Sequence, residues 1–186
     1  MTTITVPTTL SGTYAIDPTH SRIGFVARHA MVTKVRGSFN DFDGSGYFDT
    51  DQPENSNLQL TIQATSIDTR NADRDAHLRS NDFFDMENYP ELSFASTSVE
   101  QVDDGTYRVT GDLTIKGVTK PVTVDFEYTG AAVDPYGNQR IGLEGTTTIN
   151  RKDWGVTWNA PLETGGVLVG EKVTLEFEVS AVRTDG

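Results

Sequence analysis

The last clear segment of the chain alternates without a break. Val173, Leu175, Phe177, Val179 and Ala181 are apolar, and Lys172, Thr174, Glu176, Glu178 and Ser180 between them are polar. A period of two places every apolar side chain on one face of an extended strand. Such a strand needs a core on one side and tolerates water on the other, which fits an antiparallel sheet and not a parallel sheet buried on both faces. Leu58, Leu60, Ile62 and Ala64 repeat the pattern, as do Val122, Val124, Phe126 and Tyr128. Further strand-like runs lie at Ser21–Arg28, Leu92–Val102, Tyr107–Ile115 and Arg140–Ile149. Val35–Thr50 is long and aromatic but breaks alternation, and its Gly37, Gly44 and Gly46 suggest a strand that bends or bulges. Turn signals at Asp103-Asp104-Gly105, Lys116-Gly117 and Asp134–Asn138 separate the runs. The count is about eight strands in a meander, and closure into a barrel or pairing into a sandwich would both hide its edges.

One stretch departs from this pattern. Asp68–Leu92 carries helix formers over Asn71–Arg79, with Thr69 or Asn71 placed to cap and Asp73 in the first turn, where the helix dipole favours an acid. Asp75 and Arg79 have the spacing of an i,i+4 ion pair. Ser80-Asn81-Asp82 can begin a second turn before Phe83-Phe84, and Pro90 closes the segment. A single helical excursion in a chain of strands is a lid, a plug or a crossover. With the bent Val35–Thr50 strand, it favours the barrel.

The 186 residues fit one domain with a sizeable core, expected over 12–184 behind a flexible, Thr-rich arm at 1–11. A formal net charge of -12 argues against a nucleic-acid partner. There is no cysteine, so thiolate chemistry and disulfides are excluded. The first residues lack the basic and apolar regions of a secretory signal, and no apolar run is long enough for an integral membrane segment, so a cytoplasmic protein is expected. No G-x-S-x-G elbow or P-loop occurs. His20, His29 and His77 show no metal-ligand spacing, so no metal and no cofactor are expected. Alternation points Phe25, Leu60, Ile62, Leu113, Ile115, Val124, Phe126 and Phe177 inward. Phe83, Phe84, Trp154 and Trp158 are candidates for a barrel mouth. Core packing explains each of these side chains as well as ligand contact does. His20, Arg74, Asp75 and His77 are candidate polar anchors, with hydrogen bonds tying the helix to the barrel preferred over a catalytic triad.

Three clusters resemble the YceI-like lipid/polyisoprenoid-binding family. The first is Tyr14-x-x-Asp17-Pro18-Thr19-His20-Ser21 with Phe25, His29 and Gly37-Ser38-Phe39. The second runs from Ser66-Ile67-Asp68-Thr69 through Arg74-Asp75-Ala76-His77-Leu78-Arg79-Ser80 to Asp82-Phe83-Phe84, Tyr89-Pro90 and Phe94. The third is Gly111-Asp112-Leu113-Thr114-Ile115-Lys116-Gly117-Val118-Thr119-Lys120-Pro121-Val122, with Asn150-Arg151-Lys152-Asp153-Trp154-Gly155 and Val169-Gly170 beyond it. The resemblance implies an all-β, extended lipocalin-like barrel of eight antiparallel strands with a short helical insert, often a homodimer. It implies a hydrophobic tunnel for a long-chain isoprenoid lipid, such as a polyprenyl species, a quinone or a similar amphiphile, bound without catalysis. A bulky change such as Leu60→Trp is then expected to block binding without unfolding the barrel. The alternatives are a small lipid-modifying enzyme that uses His20, Arg74, Asp75 and His77, or a stress or interaction protein whose barrel is filled by its own side chains.

Overall fold

In the computed structural model, described over residues 6–160, 162 and 168–185, the alternating segments form eleven strands. They are β1 (Gly12–Ile16), β2 (Arg22–His29), β3 (Thr33–Phe39), β4 (Phe42–Phe48), β5 (Asn57–Gln63), β6 (Ile67–Asp68), β7 (Glu91–Asp103), β8 (Thr106–Ile115), β9 (Val118–Val133), β10 (Gln139–Asn150) and β11 (Val169–Arg183). All pairings are antiparallel. Both β1 and β2 pair with β11, while on their other side β1 pairs with β4 and β2 with β3. They are one strand interrupted by the Pro18–His20 turn. By the same logic β3 and β4 are halves of one strand, and β5 and β6 of another. Eight composite strands therefore close into a barrel, with a free edge left only where β3 runs past β6 over Thr33–Gly37 and along β6 itself among the described residues.

The long Val35–Thr50 strand does bend, but at Asn40-Asp41 and not at its glycines, which lie inside β3 and β4. β9 runs on to Val133, five residues past the expected end at Tyr128, with a register shift opposite Gly142/Leu143. Inward positions of β8 and β9 (Tyr107, Val109, Leu113, Ile115, Val122, Val124, Phe126) are buried, and their outward neighbours are mostly polar and half-buried to exposed. A charged outer band is the reverse of a membrane-spanning barrel, whose apolar side chains face out. Among the described residues no helix is long and apolar enough to cross a membrane.

Helix α1 (Ala72–Arg79) is capped by Asn71, whose side chain accepts from the Arg74 amide at 3.0 Å. The expected Asp75–Arg79 ion pair does not form. Asp75 is buried and accepts from the amide and hydroxyl of Thr69, just past β6. Arg79 donates instead to the carbonyls of Thr65 and Ile67. A buried carboxylate needs donors more than a surface partner, so both side chains serve to dock the helix on the barrel.

On the outer face, Glu127, Glu144 and Glu178 stand directly opposite one another across β9, β10 and β11. Like charges in register repel. Glu144→Lys is expected to raise stability by about 1 kcal/mol in low-salt urea unfolding, a gain that shrinks near about 1 M salt.

Candidate functional site

The barrel interior holds two apolar chambers separated by packed side chains. The upper chamber, of about 110 Å³, is lined by Phe25, Ala27, Phe39, Leu78, Phe83, Phe84 and Ile115, among others. The lower, of about 100 Å³, is lined chiefly by Tyr14, Phe48, Tyr107, Val109, Phe126, Ile141 and Ala181. A cleft of about 450 Å³ covers the upper end, between α1 and the β2–β3 hairpin. Phe25, Ala27, Leu78, Phe83 and Val169 line both cleft and upper chamber, so these five side chains form the boundary, or throat, between the two spaces.

The packed middle arises from residue size. Gly111 faces inward on β8, and a Cβ there would stand within 2.5 Å of the Phe94 ring. The half-buried ring therefore lies over the strand at Gly111. Elsewhere in the core Phe126 and Phe177 pack ring to ring, with centroids 5.8 Å apart.

Sequence-derived candidates divide accordingly. Phe25, Phe83, Phe84 and Ile115 line the upper chamber, and Phe126 lines the lower. Trp158, Arg74 and His77 line the cleft. Leu60, Ile62, Leu113, Val124, Trp154 and Phe177 belong to the apolar core but line neither chamber. Trp154 is fixed there by its indole N–H, which donates to the Leu113 carbonyl at 2.9 Å. Leu60 packs against the backbone at Gly44. A Trp at Leu60 would overpack the middle layer instead of blocking a free channel, so that expected substitution moves to the throat.

The polar candidates do not form one cluster. Arg74 donates to the hydroxyl and carbonyl of Thr69, the residue that Asp75 also holds. His77 faces the cleft, with Nε2 2.8 Å from Asp82 Oδ2. Its ring lies edge-on to Phe83 (5.0 Å) and Trp158 (4.6 Å), giving the mouth an aromatic wall with one polar edge. His20 is elsewhere, exposed beside Asp17 at 2.8 Å. Among the described residues no three metal-ligating side chains converge.

Near His20, Arg140 bridges Asp17 (2.7 Å) and Asp134 (2.8 Å), with both carboxylates largely covered. Hydrogen bonds from Thr19, Arg140 and His20 hold the Asp17 carboxyl far below its usual range. The Asn138 amide and Arg140 lower Asp134 to about 2. Carboxylates depressed in the folded state contribute stability above their ordinary pKa, and that stability is lost as pH falls through the folded value. Acid unfolding is therefore expected between about pH 4 and pH 2. Arg140→Met should shift its midpoint to higher pH in a circular-dichroism titration.

Sequence reasoning missed Arg151 as part of the site. It is buried in the upper-chamber wall and donates to four carbonyls, those of Gly170 (2.9 Å), Val156 (2.7 Å), Trp158 (3.0 Å) and Val169 (3.2 Å). Burial pushes its guanidinium below the ordinary value. One side chain thus ties the segment carrying Trp158 to the start of β11. A basic residue in an irregular, glycine-rich stretch gave no sign of this, because its partners are all backbone. Ala27, Leu78 and Val169 were missed as throat residues, although Ala27 lies on the inward alternation of β2.

The chain matches the YceI-like domain over residues 14–181. It is 41% identical over 150 residues to a UPF0312 protein of Ectopseudomonas mendocina, covering 80% of this chain and 78% of that one. Its fold is similar to that of BcnA from Burkholderia cenocepacia, with TM-score 0.79 and 25% identity over 89% of this chain and 98% of that one. A polyisoprenoid binding domain from Saccharophagus degradans, implicated in plant cell wall breakdown, shares the fold at TM-score 0.69 and 16% identity, over 92% and 98% of the two chains. The eight-stranded barrel, with one α-helix among the described residues, and the match across nearly the whole chain lead to one assignment: this protein belongs to the YceI-like family.

Proposed function

We propose that the protein binds and carries a long-chain isoprenoid lipid, a quinone or similar amphiphile, with its chain in the cleft and upper chamber. The observation that carries this reading is a cleft of about 450 Å³ that shares five lining residues with an apolar chamber behind it. A long unbranched chain gains about 0.8 kcal/mol for each buried CH₂, less the cost of immobilisation. At the mouth, His77 and Trp158 offer a head group a polar edge and an aromatic face, and Arg74 offers a positive charge that its neutral Thr69 partners leave uncompensated. The family and the polyisoprenoid-binding neighbour support the same reading.

The carrier would perform no reaction. Arg74 and Asp75 are both committed to Thr69, and His20 stands apart, so the polar groups of the enzymatic alternative are dispersed. The packed middle layer favours the other reading, a barrel filled by its own side chains, and the two are separated by titration. A quinone with an isoprenoid tail is expected to quench Trp158 saturably, at one ligand per chain. The deeper Trp154 should respond less, and Trp158→Phe should remove most of the signal. Absence of saturable quenching by any tail length would overturn the carrier reading. A homodimer rests on the family resemblance and is tested by native mass. A cytoplasmic location accords with a chain that needs no disulfides and is tested by cell fractionation.

A further inference from the structure

The rim of the cleft carries a surface unlike the rest of the molecule. Residues 18–40 contain Arg22, Arg28, Lys34 and Arg36 and no acidic residue, in a chain with 27 Asp and Glu against 15 Lys and Arg. Arg28, Lys34 and Arg36 are exposed on the β2–β3 hairpin, and among the described residues none of the three forms an ion pair. At its tip, Met31 and Val32 are 62% and 73% exposed. The same hairpin walls the cleft through Ala27, His29 and Val35. The tip holds two successive non-glycine residues, Ala30 and Met31, at φ 51° and 61°. Asn-Gly would fit such a turn at lower cost, so the apolar side chains sit there against local preference.

We propose that this hairpin docks the protein on an anionic lipid bilayer, with Met31 and Val32 inserted among the acyl chains and Arg28, Lys34 and Arg36 on the head groups. Exposed apolar side chains flanked by cations match the two layers of such a surface, apolar inside and negative outside. The net charge of -12 opposes approach, but salt screens charges beyond about 8 Å, so the local face decides once contact is made. Docked this way, the cleft would open at the level where lipid tails begin. The proposal adds a loading place to the carrier reading. It is tested without ligand, so either can fail alone.

Flotation with vesicles of phosphatidylcholine alone, or with about 30% phosphatidylglycerol, near 0.1 M salt provides the test. The parent chain is expected to float with the anionic vesicles and not with the neutral ones. Lys34→Glu with Arg36→Glu should weaken binding on the order of 10-fold. Met31→Asp with Val32→Asp should abolish it. Ala30→Asn with Met31→Gly guards against misfolding: it should unfold at an equal or higher temperature and still bind less. No flotation of the parent chain, equal flotation of all variants, or equal binding to neutral vesicles would overturn the proposal. So would a tip variant that turns a dimer into a monomer, which would assign the hairpin to a second copy of the chain.

Discussion

Arg151→Met is expected to destabilise the protein by about 4 kcal/mol, lowering the melting temperature by about 10 °C for a chain of this size. The arginine is buried, with no carboxylate partner among the described residues, and four backbone carbonyls receive its N–H groups. Methionine restores the volume and none of the donors. Carbonyls at Val156 and Trp158 would then seek water, and the segment carrying Trp158 would leave the mouth. Arg151→Lys should recover less than half of the loss, because a compact ammonium cannot span four acceptors that a planar guanidinium meets. Urea unfolding gives the magnitude, and a red shift of tryptophan emission in the folded variant would report Trp158 becoming wet. A loss below about 1 kcal/mol would mean that the four bonds are replaceable.

Ala27→Trp is expected to reduce affinity for a long-chain isoprenoid by at least about 100-fold, or about 2.7 kcal/mol, while leaving the melting temperature nearly unchanged. Ala27 borders both cleft and upper chamber, so an indole there is expected to occupy the space that a chain passing between them needs. Leu60→Trp makes the contrast. Leu60 packs in the filled middle layer, so the larger ring should cost about 1–3 kcal/mol of stability through overpacking. A throat variant that still binds, or a Leu60 variant that blocks without destabilising, would show that the ligand follows another path.

Alternation told which side chains face inward, and for Phe25, Leu113, Val124 and Phe126 it was right. It carries no information about height along the barrel axis, because every inward position has the same period. Leu60 and Ile62 therefore looked equivalent to Phe25, although only Phe25 reaches the upper chamber. Chamber and septum depend on how residues from different strands meet at one level, as Phe94 does over Gly111. The continuation of β9 was hidden because Gly130-Ala131-Ala132 has no apolar–polar contrast. Helix α1 was legible from its cap, but the destination of Asp75 was not, since the i,i+4 rule describes an exposed helix face and this one is buried. His20 and His77 share chemistry and not location, and no local pattern bridges the 56 positions between them.

The most direct test of the carrier reading is mass spectrometry of an organic extract from the purified protein, after incubation with isoprenoid quinones and polyprenols of graded length. The account predicts one long-chain species per protein chain, retained through gel filtration and absent from Ala27→Trp. An extract free of lipid at every chain length, from protein that is folded and has an open throat, would contradict it.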